Sequence, residues 1–205
     1  NVPRYKLFNA AVGLGQAQGI VTKHHLVPFG DYVPLQDWLR GLIDFFDLPM
    51  SNATRGAAQQ ANVVLSLQSK PVETAIGICY EIAYGNSMRR RTQGAGLLMT
   101  LTNDTWFGRS IGPHQHMQIA RVRALENGRW LLRAANDGIT AVVDHHGQIR
   151  ARLPQFVEGV LATSFQVMQG TTPYSVMGDW PLLVIIAGLI LVFRQRSVAD
   201  KVKIT

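Results

Sequence analysis

The sequence predicts an α/β layered sandwich carrying a C-terminal membrane helix, and three observations predict it. Apolar, β-rich runs alternate with helical patterns early in the chain and then follow one another directly, the order expected of a layered α/β domain. Hydrophobic residues make up 47% of the 205 positions and charged residues only 16%, so the chain can build a core of its own and is not a disordered polymer. Residues 180–193 read WPLLVIIAGLILVF, fourteen positions without a charge.

Taken in order, residues 6–12 and 20–23 flank a turn containing Gly13, Gly15 and Gly19, the pattern of a hairpin with a long loop. The glycines miss the G-x-G-x-x-G spacing and a strand follows them, so the turn is not read as a phosphate cradle. From Leu35 onward Trp38, Leu39, Leu42, Ile43, Phe45 and Phe46 recur at helical spacing, with Asp37, Arg40 and Asp44 on the other face. This amphipathic helix either packs on its own core or leans on lipid, and Leu48-Pro49-Met50 extends either surface. Strands are expected over residues 63–67, 72–78, 97–102, 129–135, 139–143 and 159–163, with helices over 82–91 and 115–126. Residues 168–174, rich in Gly and Thr and holding Pro173, read as a linker.

The run 180–193 rises about 21 Å as a helix, against a hydrocarbon core of about 30 Å. A transmembrane helix is therefore placed over 175–194, with Asp179 at an interface, and a basic tail over 195–205 holding Arg196, Lys201 and Lys203. The positive tail would be cytoplasmic and everything before the helix would face outward.

Twenty Lys and Arg against thirteen Asp and Glu leave a net charge of +7, suited to phospholipid headgroups or nucleic acid. No basic run is interleaved with aromatics and no recognised module appears, so nucleic acid is not an expected partner. Arg89-Arg90-Arg91 and the series Arg121, Arg123, Arg129 and Arg133 read as solvated faces or ion pairs, a share of them available to phosphate. One cysteine allows neither an intrachain disulfide nor a multi-cysteine zinc site. The pairs His24/His25, His114/His116 and His145/His146 match no zinc motif and read as structural or surface residues, so neither metal nor cofactor is expected. The chain opens Asn1-Val2-Pro3 with no signal-peptide pattern, and is expected to begin inside a longer protein.

Chemistry concentrates at Cys79. It follows the apolar strand residues Ala75-Ile76-Gly77-Ile78 and precedes Tyr80-Glu81, so a strand is expected to end at the thiol and a helix to begin beyond it. Backbone N–H groups at a helix start favour a thiolate, and the amide of Tyr80 could meet an oxyanion. The same placement also suits a buried small hydrophobe. A second block, Lys23-His24-His25-Leu26-Val27-Pro28-Phe29-Gly30-Asp31-Tyr32-Val33-Pro34, sets a lysine eight residues before a carboxylate. An ammonium group can stabilise a thiolate and an oxyanion while a carboxylate moves a proton. The block reads equally as a loop held by its prolines.

Together these residues resemble a known family. The run from Tyr5 to Pro34 with K-x-H-L-V-P-F-G-D-Y-V-P, followed by Gly77-Ile78-Cys79-Tyr80-Glu81, is similar to the carbon-nitrogen hydrolase (nitrilase) superfamily. Within it the chain looks most like the bacterial apolipoprotein N-acyltransferases, through Thr102-Asn103-Asp104-Thr105-Trp106-Phe107-Gly108, Ser110-Ile111-Gly112-Pro113 with Gln115-His116, Arg123-Ala124-Leu125-Glu126 and Asn136-Asp137-Gly138-Ile139-Thr140. The similarity runs through nearly the whole chain.

The resemblance implies a nitrilase-like αββα sandwich over 1–167, lacking its N-terminal part, on the periplasmic side of the inner membrane. It implies an enzyme that moves an acyl chain from a membrane phospholipid to its cysteine as a thioester. The chain then passes to the α-amino group of an apolipoprotein's S-diacylglyceryl cysteine. Carried over, Cys79 is the nucleophile and Lys23 the catalytic lysine, while Glu81 and Asp31 complete the catalytic set, Asp31 standing where the family usually has glutamate. Tyr80, Trp106 and Asn103 are implied substrate contacts. The family's triad also needs a glutamate upstream of the lysine. Here Glu73, Glu81, Glu126 and Glu158 all follow Lys23, so the isolated 205 residues are expected to lack turnover. Competing readings are a soluble amidase of the same superfamily, in which water attacks the thioester, and a non-catalytic lipoprotein-binding module.

Overall fold

The computed structural model describes residues 5–32, 34 and 53–202. The amphipathic helix expected from Leu35 to Phe46 and its apolar extension to Met50 lie outside the described residues. Strands β1 (Ala10–Val12) and β3 (Ile20–Thr22) pair antiparallel as a two-stranded ribbon. Within the loop joining them, β2 (Ala17–Gln18) adds instead to the edge of a seven-stranded sheet ordered β2-β4-β5-β6-β7-β8-β9. The other members are β4 (Val63–Leu67), β5 (Lys70–Ile78), β6 (Leu97–Asn103), β7 (Leu131–Asn136), β8 (Ala141–Val143) and β9 (Ile149–Arg152). β5, β6 and β7 run parallel in the middle, and the pairs on either side are antiparallel.

Parallel strands must be covered on both faces, which is why the end of β5 that pairs with β6, residues 74–78, and β6 itself read as nearly continuous apolar runs. On one face α1 (Gly85–Thr92) and α2 (Gly112–Asn127) bury Met88, Met117, Ala120 and Ala124 against Ala75, Leu98 and Leu131. On the other, the β1–β3 ribbon sets Ala11 and Val21 against Ile76. Further along that face Leu161, Phe165 and Met168 cover Val72, Leu97, Trp130 and Val142. Pro113 in the first turn of α2 has no N–H to leave unpaired, and Gly128 ends the helix at φ 61°.

Three expectations need correction. Residues 159–163 form no strand; the stretch is extended chain whose Leu161 packs on the sheet without joining it. The strand β9 was not expected. The segment 168–174 is not a free spacer: Met168 N donates to Gly96 O, Arg129 donates to Gly170 O at 2.7 Å, and Thr172 caps a short helix, α3 (Pro173–Met177), by accepting from Ser175 N at 3.0 Å.

The membrane-helix expectation over 175–194 is also corrected. Gly178, at φ 60°, breaks the chain after α3, and Asp179 is held outside both helices by Asn86 Nδ2 at 2.7 Å. Helix α4 therefore begins at Trp180 and runs Trp180–Val202, and its apolar stretch cannot borrow residues 175–179. No helix among the described residues is long and apolar enough to cross a membrane. The side chains of α4 from Leu182 to Phe193 nevertheless lie open on all sides. Arg89 donates to Ser175 O and Val176 O at 3.0 and 3.3 Å, so the short helix α3 that precedes α4 is anchored to α1.

Candidate active site

The carboxyl ends of β5, β6 and β7 share one edge of the sheet, the edge at which open α/β sheets hold ligands. Cys79 leaves β5 there with φ 54°, a left-handed conformation unusual for a residue with a Cβ. Such a conformation costs on the order of 1–3 kcal/mol and persists only where its surroundings over-determine it. The chain turns through a five-residue 3₁₀ segment, Cys79–Ala83, before α1 starts at Gly85. The expected helix N-terminus at the sulfur is thus replaced by a single 3₁₀ turn. Gly77 permits it, because a Cβ there would sit 3.0 Å from the Met88 sulfur, where α1 packs down on the strand.

Glu81, only 1% exposed, ties this turn to a distant segment. Its Oε2 accepts from Ile78 N at 3.0 Å, and its Oε1 accepts from the amides of His24 and His25 at 2.8 and 3.2 Å. Arg91 donates to both oxygens at 3.3 Å. A carboxylate so fully occupied has no free lone pair for proton transfer. Both oxygens of Glu81 are thus engaged by main-chain amides and by Arg91, an arrangement suited to holding two segments together. It links the residue before Cys79 to the residue after Lys23.

Lys23, 3% exposed, leaves β3 and places Nζ 2.5 Å from Asp31 Oδ2. Asp31 also accepts from Val27 N at 2.7 Å and from Asn9 Nδ2 at 2.7 Å. The shorter acidic side chain reaches because the loop curls back on itself, Asp31 N donating to Val27 O at 2.8 Å. His25 stacks on Tyr84 at 4.0 Å, and Tyr84 meets Tyr80 edge to face at 6.0 Å. Burial first, then the neighbouring His24, pushes the His25 imidazole below its ordinary pKa against the opposing pull of Glu81.

Asn103 ends β6, and its Oδ1 accepts from Thr105 N at 3.1 Å, shaping the 3₁₀ turn Thr105–Phe107 that holds Trp106 out in solvent at 72% exposure. Tyr80 is half-exposed beside the thiol turn. Cys79, Tyr80, Asn103 and Trp106 lie at the carboxyl ends of β5 and β6, and the Glu81 tie joins the Cys79 turn to the segment that follows Lys23.

One cluster was missed in the sequence. Asp104, fully buried, accepts from Arg133 at 2.7 Å on one oxygen and lies 2.9 Å from His116 Nδ1 on the other, where Thr102 also donates at 3.0 Å. Arg133 is thus no solvated arginine, and neither is Arg129, which is buried and donates to main-chain carbonyls of Ala95 and Gly170. Burial opposes the charge on Asp104, but the His116 hydrogen bond and the Arg133 charge outweigh it and hold the carboxyl below its ordinary pKa. With the folded value below the unfolded one, this contribution to stability is complete above about pH 4 and is lost as pH falls through the folded value. Urea unfolding from pH 7 to pH 3 is expected to show that loss in the wild type and a flatter profile, starting lower, in Asp104→Asn. Parallel profiles would assign the acid sensitivity to other carboxylates.

The carbon-nitrogen hydrolase family model matches residues 3–173. The chain belongs to the carbon-nitrogen hydrolase family. Similar family members include the apolipoprotein N-acyltransferase of Pseudomonas paraeruginosa, 48% identical, with 92% of this chain matching 36% of that one. The apolipoprotein N-acyltransferase of Pseudomonas syringae pv. tomato is 46% identical over 98% of this chain and 38% of its own. That of Vibrio vulnificus is 49% identical over 80% and 32%. The chain spans about a third of the length of these relatives. Among solved structures, the carbon-nitrogen hydrolase of Helicobacter pylori G27 superposes with a TM-score of 0.50 at 15% identity, covering 68% of this chain and 50% of that one, which supports the nitrilase-like α/β fold.

Proposed function

We propose that this chain carries the cysteine and lysine of an N-acyltransferase working on membrane lipid. The observation that carries the reading is the strained Cys79 turn, tied through Glu81 to the segment holding the buried Lys23–Asp31 pair. The Cys79 thiolate attacks an ester carbonyl of a phospholipid, and Lys23 donates to the oxyanion that forms. The ester C–O bond breaks, the lysophospholipid leaves as the alcohol, taking the proton that the general base removed from the thiol, and a thioester remains. The α-amino group of a diacylglyceryl-modified apolipoprotein cysteine then attacks the thioester; its N–H proton passes to a base, the C–S bond breaks, and an amide is left. The resemblance implies that the general base of this reaction is a glutamate placed before the lysine in the chain order of the family.

The names of the relatives support the acyl-transfer reading, and the open apolar surface of α4 supports a lipid environment. In this reading the open apolar surface of α4 lies against the lipid of the bacterial inner membrane and the catalytic domain lies on the periplasmic side. Tyr80, Trp106 and Asn103 meet the substrates at the mouth of the site.

The test is the intact mass of the protein extracted from its membrane, with and without hydroxylamine. A fatty-acyl increment on the Cys79 peptide, released by hydroxylamine and discharged by a synthetic S-diacylglyceryl-cysteine peptide with an N-acylated product, is expected. Discharge to water at the same rate with or without the peptide would favour an amidase. Absence of any Cys79 adduct would leave a binding module.

A further inference from the structure

We infer that His116, held by Asp104 and Arg133, is a positioning residue that fixes the peptide following the Cys79 nucleophile; the inference rests on the reading of Cys79 given above. The turn at φ 54° has to be held on both sides. On the amino side Glu81 accepts from Ile78 N. On the carboxyl side, His116 Nε2 lies 3.3 Å from the Cys79 carbonyl oxygen. A carbonyl oxygen only accepts, so Nε2–H donates to it.

That N–H is aimed because the far side of the ring is fixed. Nδ1 faces Asp104 Oδ1 at 2.9 Å, and Arg133 donates to Asp104 Oδ2 at 2.7 Å while its Nε donates to Ile139 O at 3.1 Å. Asp104 in turn is enclosed by the backbone at Gly138, where a Cβ would come within 2.4 Å of Oδ2. His116 comes from α2, Asp104 from the end of β6 and Arg133 from β7, so three elements converge on one main-chain carbonyl. Burying an arginine, an aspartate and a histidine together needs good geometry to be tolerated, and Arg133 Nη2 also lies 3.2 Å from His116 Nδ1.

The functional consequence follows from peptide planarity. In a trans peptide the carbonyl and the following N–H point in opposite directions, so holding the Cys79 carbonyl also sets the direction of the Tyr80 N–H. The amide next to a nucleophile is the one placed to receive an oxyanion formed on it. His116 never touches the reacting sulfur; it acts through that peptide.

Two substitutions separate positioning from bulk stability. In His116→Gln the amide nitrogen falls near the Nε2 position and keeps the donor to Cys79; in His116→Asn it falls near Nδ1, keeps Asp104 satisfied and loses that donor. The intact protein as extracted from its membrane, in detergent, is mixed with a long-chain p-nitrophenyl ester, and the Cys79-dependent burst of p-nitrophenol is timed alongside a melting curve. The burst in His116→Gln is expected within about threefold of wild type although this variant loses the bond to Asp104 and melts lower, and in His116→Asn about tenfold or more slower although it melts higher than the glutamine variant. Equal burst rates in the two variants, or rates that simply follow melting temperature, overturn the role of His116. A wild type whose burst survives Cys79→Ala overturns the reading of Cys79 itself, and the inference with it.

Discussion

Lys23→Met is expected to slow thioester formation at Cys79 by about 10²–10³-fold, the cost of removing one preorganised oxyanion donor. Methionine matches the length of the lysine stem, so the buried site keeps its volume and the loss is one of charge and donors. Asp31 keeps Val27 N and Asn9 Nδ2 but loses its cation, so the variant should also be less stable. Adding Asp31→Asn removes the stranded charge, and the double variant should regain stability without regaining rate. The rate is read as hydroxylamine-releasable fatty acid on the protein in phospholipid vesicles. A single variant forming thioester within about threefold of wild type would leave the ion pair as a strut alone, because an oxyanion donor is worth far more than that. Recovery of rate in the double variant would show instead that the single variant had failed by misfolding.

The fold was legible where hydrophobic patterning and hydrogen bonding coincide. β4 occupies residues 63–67 as expected, and the parallel strands announced themselves as apolar runs because both faces are covered. The readings failed where burial and pairing part company. Residues 159–163 carry an apolar run because Leu161 must cover the sheet, yet they bond to no strand there. β9 is a ladder partner of β8 whose Arg150 and Arg152 gave it no apolar signature. The break at Gly178 lies inside what reads as helical sequence, and only the bond from Asn86 to Asp179 shows that the chain is held out of the helix.

At the site, Cys79, Lys23 and Asp31 stood out because their chemistry is rare and their neighbours form motifs. The group Asp104, His116 and Arg133 had no such signal. Its members are twelve and twenty-nine residues apart along the chain, measured from Asp104, and only the sheet order brings them together. The aspartate shortening at position 31 is absorbed by a loop closure that no single-residue comparison reveals.

Glu81→Gln separates shape from charge at the tie between the two catalytic segments. Glutamine fits the same volume, but its NH₂ group must face one of the amides of Ile78, His24 or His25, all of which donate. A donor set against a donor leaves both unpaired, and Arg91 loses the carboxylate that compensates it. Breaking a buried pair of this kind costs about 3–5 kcal/mol, and at about 2–4 °C per kcal/mol the melting temperature should fall by roughly 6–20 °C. Below its own melting temperature the variant should still form thioester about 10²-fold more slowly, because the approach of Lys23 to Cys79 depends on that tie and displacements near 1 Å are costly to catalysis. Arg91→Met is the control: it removes the guanidinium while leaving the three amide bonds intact, so it should lose stability but keep most of its rate. If Glu81→Gln, assayed while folded, forms thioester as fast as Arg91→Met, the amide bonds do not register Lys23 against Cys79, and the tie serves stability alone.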